Sequence, residues 1–471
     1  MIAATARPVP EIIAGLIERA RRAQAEVAHY TQEQANTLAT AVAWACYHNA
    51  ESLARLAVED TGIGRYEDKV QKNLRKTFGT LSDLLDPSAV SVGVIDHNPT
   101  TNLTRIAKPI GVVAALCPST NPSATPTNKA MMALKGLNAV ILAPSPKGAS
   151  TCARLVELIH DELRKIGAPL DLVTMLPAPI TKELTNELMK QADLVVVTGS
   201  QSNVRNAYRS GTPAIGVGAG NVPVIIDASA NLADAADKIA RSKTFDYATS
   251  CSSENSLVVL DSVYDAMLEA LRSEGAYLLS PDEKARFETV MFEDGKLSNK
   301  IIAQSPQRIA QEAGFTSPAA RNARFFLAEE TRVGDEAPLS GEKLSVVLTL
   351  YRAPDFEAAV DRVNEILAYS GAGHSCGIHT KDDAHVEALA NRANVVRVLV
   401  NQPHCFNNGG SFDNGLNFTL SMGCGSWAKN SISENLSYKN FINVTHLVRT
   451  CTPHEPTERE LFGAYLDRYG A

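Results

Sequence analysis

Between residues 110 and 226 the hydrophobic period changes repeatedly, and this alternation constrains the fold more than any other feature of the chain. Short apolar runs such as "GVVAALCP" and "LVVVTGS" are typical of buried strands, and segments of helical period such as "STCARLVELIHDELRKIG" separate them. Strands that alternate with helices form a mainly parallel sheet covered on both faces. Such sheets bind ligands beyond the carboxyl ends of their strands. We therefore predict an α/β fold with a site at those ends.

The alternation predicts two α/β units and a projecting hairpin. Residues 227–404 repeat the pattern of the first unit, and two alternating runs near residue 100 are typical of a hairpin. The predicted ranges are 1–89 and 110–226 with part of 405–438 for the first unit, 227–404 for the second, and 90–109 with 439–450 for the hairpin. The N-terminal segment "PEIIAGLIERARRAQAEVAHY" has the period of an amphipathic helix. We expect it to pack on the first unit, and a targeting or docking peptide is the alternative.

Charge and length indicate small-molecule chemistry. The 471 residues carry 45 basic and 52 acidic side chains, a net charge of -7, which argues against nucleic acid or an anionic membrane as a partner. No apolar run approaches the ~20 residues of a membrane helix, and no basic segment precedes an apolar one at the N-terminus. We expect a cytoplasmic protein.

One of the eight cysteines has the setting of a reactive thiol. The cysteines include no C-x-x-C pair and no histidine at metal-ligand spacing, so neither a zinc site nor a disulfide framework is indicated. In "TFDYATSCSSENS" Cys251 is flanked by the hydroxyl residues Thr249, Ser250, Ser252 and Ser253. A structural cysteine normally lies within an apolar run, so this pattern favours a solvated, reactive position.

One strand end is suited to a phosphate. In "GSQSNVRNAYRSG" Gly199 and Ser200 precede a predicted helix, whose first N–H groups and partial positive charge can hold a pyrophosphate. The G-x-G-x-x-G dinucleotide fingerprint is absent from the chain.

Several motifs together resemble the aldehyde dehydrogenase superfamily, and more narrowly its coenzyme-A-acylating branch. They occur in the family's order over nearly the whole chain: "GVVAALCPSTNPSATPTNKAMMALKGLNAVILAPSP", "SGTPAIGVGAGNVPVII", "KTFDYATSCSSENS", "EKLSVVLTLYRAPDFEAAV", "GAGHSCGIHT" and "GCGSWAKNSISENL". The resemblance implies that the first unit binds the cofactor, the second carries the nucleophile, and the hairpin serves oligomerisation in homodimers or homotetramers.

The resemblance assigns catalytic roles to individual residues. Cys251 matches the nucleophile, and Asn121 in "STNPSATP" matches the asparagine whose amide donates to the oxyanion. A free thiol has a pKa near ~8.5, so we expect local donors that favour the thiolate. His374 matches a histidine near the acyl or thiol site, with a structural role satisfied by backbone as the alternative. Glu342 stands where relatives bind the nicotinamide ribose, although the Phe-Gly-Pro that follows there is missing.

The chain differs from hydrolytic members of the family at the residue that activates water. Hydrolytic members place a glutamate base in E-L-G-G-K, where this chain has Val217-Gly218-Ala219-Gly220-Asn221. A thioacyl-enzyme without that base hydrolyses slowly and is released by a better nucleophile, the thiol of coenzyme A. Gly218 is assigned to the cofactor site. A hydrolytic dehydrogenase and a non-catalytic scaffold are the remote alternatives.

The adenosine end of the cofactor is predicted from "VILAPSPKGAS". Ala143 replaces a lysine that many relatives use on the adenosine ribose, and Ser145 and Lys147 follow at the same strand end. A hydroxyl and an ammonium suit a 2′-phosphate, so we expect NADP, with NAD as the alternative and a solvated Lys147 as the competing interpretation.

The substrate is predicted to be a short aldehyde ending in an anion. The segments around Cys251 most resemble branch members that use sulfoacetaldehyde, and then succinate semialdehyde; acetaldehyde or propanal is a further alternative. Thr249, Ser250, Ser252 and Arg205 are the expected donors to the anion. For Arg205, cofactor phosphates or solvent remain open.

Overall fold

The computed structural model describes residues 8–293 and 295–470. The first described part is helical and leads into a hairpin. Helices and strands are numbered in chain order, beginning with α1 Val9–Val27, α2 Gln32–His48, α3 Ala50–Thr61, α4 Tyr66–Leu85, β1 Gly93–Asn98 and β2 Leu103–Pro109. The apolar face of α1, including Ile13 and Ile17, is buried in the core of the first unit, as expected for a packing helix. Residues 1–7 of the predicted first unit lie outside the described residues.

The first unit is built on a five-stranded parallel sheet in the order β5-β4-β3-β6-β7. Its elements are β3 Val112–Cys117, α5 Ala124–Lys135, β4 Ala139–Pro144, α6 Ala149–Lys165, β5 Val173–Met175, α7 Lys182–Gln191, β6 Leu194–Thr198, α8 Gln201–Arg209 and β7 Ala214–Val217. Every residue of β3 and β4 is buried, as expected for a parallel sheet with helices on both faces. The predicted α/β architecture is confirmed.

The second unit contains a seven-stranded parallel sheet in the order β10-β13-β14-β9-β8-β15-β16. Its strands, with the small pair β11 and β12, are β8 Val222–Ile226, β9 Glu254–Leu260, β10 Ala276–Leu278, β11 Phe292–Glu293, β12 Lys296–Leu297, β13 Phe325–Glu329, β14 Val347–Ala353, β15 Gly373–His379 and β16 Val395–Val400. Its helices are α9 Leu232–Thr244, α10 Tyr264–Ser273, α11 Pro281–Met291, α12 Pro306–Glu312, α13 Pro318–Arg321, α14 Phe356–Tyr369 and α15 Asp383–Arg392.

The predicted boundary at residue 226 is wrong, because β8 belongs to the second sheet. It pairs with β9 and β15, whereas β7 pairs with β6 in the first sheet. The chain therefore changes sheet within residues 218–221. Apolar periodicity identifies both strands but says nothing about which sheet each joins, since strand pairing is a long-range choice.

The C-terminal part completes the hairpin. It contains α16 His404–Asn407, β17 Ile442–Val448 and α17 Glu458–Tyr469. Strand β17 pairs antiparallel with β2, which pairs with β1, so the predicted hairpin and the predicted last strand form one three-stranded arm. No helix in the described parts of the chain is long and apolar enough to span a membrane.

Candidate active site

Cys251 lies in a short loop between α9 and β9 whose backbone conformation is unusual. Three consecutive residues before it, Asp246, Tyr247 and Ala248, have φ values of 49°, 50° and 59°. A non-glycine residue in this left-handed region costs roughly 1–3 kcal/mol, and such residues persist only where surrounding contacts hold them. The loop must therefore be held from outside.

The Asp246 carboxylate, which is fully buried, provides that anchor. It accepts hydrogen bonds from Lys72 Nζ at 2.6 Å, Lys69 Nζ at 3.2 Å, the Arg65 backbone N–H at 2.7 Å and Thr249 Oγ1 at 2.7 Å. Burial alone raises a carboxyl pKa, but the two lysines and these hydrogen bonds bring the pKa of Asp246 below its ordinary value. Helix α4 thus supports the loop that carries the nucleophile.

Gly220 allows the sheet-changing segment to approach this loop closely. A Cβ atom added to Gly220 would lie 2.1 Å from the Cys251 carbonyl oxygen and 3.0 Å from His374 Nε2. Only glycine fits there without displacing one of them. Cys251, His374 and the "GVGAGN" segment are therefore neighbours in the fold.

The environment of Cys251 differs from the expected solvated one. Its side chain is partly exposed, but its neighbours Thr249, Ser252 and Ser253 are buried. Burial, and then the negative charge of Glu342, raise the pKa of the Cys251 thiol to about 12. The expectation that local donors favour the thiolate is not met in the unliganded protein, which keeps the thiol protonated at neutral pH.

Asn121 lies beside this loop. It follows β3 and lines a cavity of about 150 Å³ together with Ser250 and Ser252, which flank the nucleophile. Its Nδ2 is 3.4 Å from Thr120 Oγ1, and its buried Oδ1 has no partner among the described residues. The amide thus faces the same cavity as the two neighbours of Cys251, and within the described chain its Nδ2 makes only one weak contact that would compete with an oxyanion.

His374 is buried and neutral. Its Nδ1 is 2.8 Å from Ser375 Oγ, whereas Nε2 has no partner within the described part of the chain. Burial, followed by the nearby Arg397 charge, lowers the pKa of the imidazole well below its ordinary value. The alternative was a structural histidine whose nitrogens bind the backbone. Nε2 has no such partner in the residues that the structure describes, and it lies near Gly220 and the Cys251 carbonyl.

Glu342 lies near Cys251, since its charge contributes to the raised pKa of that thiol. Its Oε1 accepts the Gly220 N–H at 3.2 Å. Burial raises the pKa of this carboxyl, and the hydrogen bond from Gly220 lowers it by less, so the pKa is about 7. Glu342 also borders a wider cleft of about 610 Å³ with Tyr369 and Ser370, which is of the size that holds a cofactor.

The predicted substrate donors are only partly brought together. Ser250 and Ser252 line the cavity of about 150 Å³. The Thr249 hydroxyl instead accepts a hydrogen bond from Lys72 and donates one to Asp246. The exposed Arg205 on α8 is not among the lining residues. Thr249 and Arg205 therefore do not line this cavity, and their role in substrate binding stays a prediction.

Three cations that the sequence analysis missed line this cavity. They are Lys72, Arg75 and Lys76 on α4. Arg75 and Lys76 follow Lys72 by three and four residues, which places the three cations on one helix face. This spacing was the feature of the sequence from which a cationic face could have been predicted. Nothing in the local sequence links this helix to Cys251, because the two segments meet only through tertiary contacts.

The sequence profile of the aldehyde dehydrogenase family matches residues 2–287, more than half of the chain. The chain belongs to the aldehyde dehydrogenase family. It is 54% identical to the sulfoacetaldehyde dehydrogenase (acylating) of Cupriavidus necator, over 99% of this chain and 94% of that one. It is 42% identical to a sulfoacetaldehyde dehydrogenase of an Acholeplasma species, over 97% and 94% of the two chains.

The fold of this aldehyde dehydrogenase is shared with solved structures. The acetylating aldehyde dehydrogenase of Geobacillus thermoglucosidasius superposes with a TM-score of 0.91 at 35% identity, covering 96% of this chain and 98% of that chain. The predicted family, its acylating branch and the predicted fold are confirmed.

Five of the six residues predicted to hold the cofactor of this aldehyde dehydrogenase, all except Glu342, lie after parallel strands of one sheet. Ser145 and Lys147 follow β4, Gly199 and Ser200 follow β6, and Gly218 follows β7. Because these strands run parallel, their carboxyl ends share one edge, as in other sheets that bind dinucleotides.

Two details of that edge favour a ligand close to the backbone. A Cβ atom on Gly218 would lie 2.7 Å from Gln201 Nε2, so the end of β7 approaches the start of α8 closely. Ser200 Oγ caps α8 by accepting the Asn203 N–H at 3.4 Å. The remaining N–H groups of the first turn of α8 are suited to a phosphate.

Proposed function

We propose that this aldehyde dehydrogenase oxidises sulfoacetaldehyde to sulfoacetyl-coenzyme A with reduction of NADP, NAD being the alternative. The observation that carries the proposal is the setting of Cys251. Its neighbours Ser250 and Ser252 line a small cavity together with Asn121, and the position of the hydrolytic base is occupied by the buried, apolar Val217. The choice of sulfoacetaldehyde as substrate is supported by similar proteins that are named acylating sulfoacetaldehyde dehydrogenases.

The chain's own residues supply nucleophile and oxyanion donor. Cys251 Sγ forms a bond to the aldehyde carbon while the thiol proton is released, and Asn121 Nδ2 donates to the oxygen that becomes negative. A nicotinamide held at the sheet edge would supply the hydride acceptor for that carbon. The thiol of coenzyme A then displaces Cys251 from the resulting thioester, so aldehyde, coenzyme A and oxidised cofactor give acyl-coenzyme A, reduced cofactor and one proton.

The cofactor is proposed to lie across the carboxyl edge of the five-stranded sheet. Ser145 and Lys147 would hold the 2′-phosphate, Gly199 and Ser200 the pyrophosphate, and Glu342 the nicotinamide end. Ser145 is half-buried and Lys147 is exposed at the end of β4, so both are accessible to such a ligand.

Assembly and location are part of the same proposal. The three-stranded arm of β1, β2 and β17 is largely exposed, and we propose that it joins copies of the chain into a homodimer or homotetramer in the cytoplasm. Sedimentation of the full chain and of a chain carrying charge substitutions in β17 tests the assembly.

A panel of aldehydes tests the activity. Sulfoacetaldehyde, succinate semialdehyde, acetaldehyde and propanal are assayed with coenzyme A and either NADP or NAD, and acyl-coenzyme A is quantified. We expect product formation to require coenzyme A and sulfoacetaldehyde to have the highest kcat/KM. A preference for propanal overturns the substrate, and rapid turnover without coenzyme A overturns the acylating reaction.

A further inference from the structure

We infer that the cationic face of α4, formed by Lys72, Arg75 and Lys76, is the site that recognises the anionic end of the substrate. The inference rests on the proposed function and names the residues that select the sulfonate. It concerns the cavity of about 150 Å³ beside the nucleophile loop, which is smaller than the ~300–1,000 Å³ typical of sites for drug-sized ligands.

The polar residues that line this cavity form two groups, one neutral and one positively charged. Asn121, Ser250 and Ser252 lie at the nucleophile loop, and the α4 cations face the same space. No aspartate or glutamate is among the lining residues of the described chain. A short ligand with a carbonyl at one end and an anion at the other matches this arrangement.

Lys76 is a buried ammonium without a counter-ion. Its Nζ donates to the backbone oxygens of Gly409 at 2.8 Å, Gly410 at 3.2 Å and Phe406 at 3.4 Å. It forms no ion pair within 4.0 Å in the described residues, and the Asp83 charge is only a minor influence on its pKa. Burial lowers its pKa to about 8, which reflects a positive charge that an anionic ligand would stabilise.

Lys72 adds to the positive potential although it is paired. Asp246 is bound by both Lys72 and Lys69, so two ammonium groups share one carboxylate. Lys72 Nζ donates to Asp246 and to Thr249, at 2.6 Å and 2.9 Å, and an ammonium carries three donors. One N–H of Lys72 thus remains for a ligand in the cavity.

Arg75 has the geometry for direct contact with the sulfonate. Its side chain is exposed at the edge of the cavity, and one terminal nitrogen donates to Ser411 Oγ at 3.1 Å. Within the described part of the chain it forms no ion pair at 4.0 Å or less, although its charge helps to lower the pKa of Asp413, whose carboxylate accepts from Ser411 Oγ. A guanidinium has five donors in one plane and binds tetrahedral oxyanions through two of them, as it does phosphate.

The experiment compares two variants and a matched control. Arg75→Gln removes the exposed cation, Lys76→Met removes the buried one at similar volume, and Arg154→Gln removes an exposed arginine of α6. Circular dichroism and size-exclusion chromatography confirm folding. Steady-state constants are measured for sulfoacetaldehyde, propanal and coenzyme A, at low and high ionic strength.

We expect Arg75→Gln to lower the ratio of kcat/KM for sulfoacetaldehyde to that for propanal at least tenfold, mainly by raising KM for sulfoacetaldehyde. Salt should raise that KM in the wild type and less in Arg75→Gln, because screening weakens a contact that the variant lacks. Lys76→Met should lower the ratio in the same direction, and Arg154→Gln should leave it unchanged.

Two results would overturn the inference while the proposed function stands. One is an unchanged ratio in Arg75→Gln and Lys76→Met although the wild type prefers sulfoacetaldehyde. The other is a raised KM for coenzyme A with an unchanged KM for sulfoacetaldehyde, which would place the coenzyme phosphates on α4. If wild-type enzyme does not form sulfoacetyl-coenzyme A, the proposed function fails and the inference with it.

Discussion

Lys72 Nζ lies 2.6 Å from the Asp246 carboxylate, and this buried ion pair joins the helix that lines the substrate cavity to the loop that carries Cys251. The two residues are 174 positions apart in the sequence. The contact means that one helix both supports the nucleophile and faces its cavity.

Asp246→Asn should destabilise the protein and disturb the loop. The change leaves the ammonium groups of Lys69 and Lys72 buried without a carboxylate, and removing one partner of a buried pair costs about 3–5 kcal/mol. We expect a lower Tm and a reduced kcat/KM, measured by thermal melting and by acyl-coenzyme A formation. Asp237→Asn, which removes an exposed partner of Arg241 on the neighbouring α9, should change neither appreciably.

Cys251→Ala should abolish acyl-coenzyme A formation and leave cofactor binding intact, because the thiol is a reactant and the predicted phosphate sites lie on the other sheet. Activity and cofactor titration by fluorescence are the measurements. Cys451→Ala, an exposed cysteine, is the matched control and should retain full activity. Cys405 is unsuitable as a control because it lines the cavity. Near-normal turnover of Cys251→Ala would contradict the proposed mechanism.

Rapid mixing without coenzyme A should give a burst of about one reduced cofactor per active site, followed by slow turnover. The reason is that the thioester on Cys251 has no hydrolytic base at the position of Val217. Stopped-flow absorbance of the reduced cofactor measures the burst. Steady fast turnover would instead indicate that a group such as Glu342, with a pKa of about 7, activates water.

Alkylation of Cys251 in the unliganded protein should be slow at neutral pH and rise about tenfold per pH unit through the alkaline range. Iodoacetamide reacts with the thiolate, and the raised pKa of about 12 keeps the thiol protonated until high pH. Peptide mass spectrometry resolves the sites, and the exposed Cys451 is an internal reference for the reagent.

Glu342 offers a second test of the same electrostatics. Its ionised carboxylate raises the pKa of Cys251, so Glu342→Gln should lower that pKa and speed alkylation several-fold above pH ~7, where wild-type Glu342 is ionised. Glu336→Gln, an exposed carboxylate paired with Arg332, should leave the profile unchanged. Equal profiles for all three proteins would contradict the assigned cause.

Gly220→Ala should greatly reduce activity, because the new Cβ would lie 2.1 Å from the Cys251 carbonyl oxygen and must displace the nucleophile loop or His374. A loss of at least a hundredfold in kcat/KM is expected, since displacement of reacting groups by about 1 Å costs about that much. Gly15→Ala on α1 is the matched control: no atom lies within 4 Å of its added Cβ, and alanine favours a helix by about 1 kcal/mol. Unchanged activity of Gly220→Ala would show that the close approach has no catalytic role.

Local pattern accounts for most of the strands and helices and for the choice of Cys251 as the predicted nucleophile. The change of period between residues 110 and 226 predicted the first parallel sheet, and the hydroxyl-rich setting of Cys251 distinguished it from the buried cysteines. These features are readable because periodicity and flanking residues act within a few positions of the chain.

The local environment of the site was less predictable. The surroundings of Cys251 were expected to be solvated but are largely buried, and its pKa is raised rather than lowered, because the fold buries the thiol and places the Glu342 charge near it. Desolvation depends on segments that pack from elsewhere, and no local pattern carries that information.

The sequence by itself determined the α/β class and the alternation of strands and helices, since each depends on neighbouring residues, and it singled out Cys251 as the predicted nucleophile. Only the tertiary structure decided that β8 joins the second sheet, that Asp246 is held by α4, and that Lys72, Arg75 and Lys76 face the cavity beside Cys251. Strand pairing, charge compensation and burial act between residues far apart in the chain, so they exist only once the chain has folded.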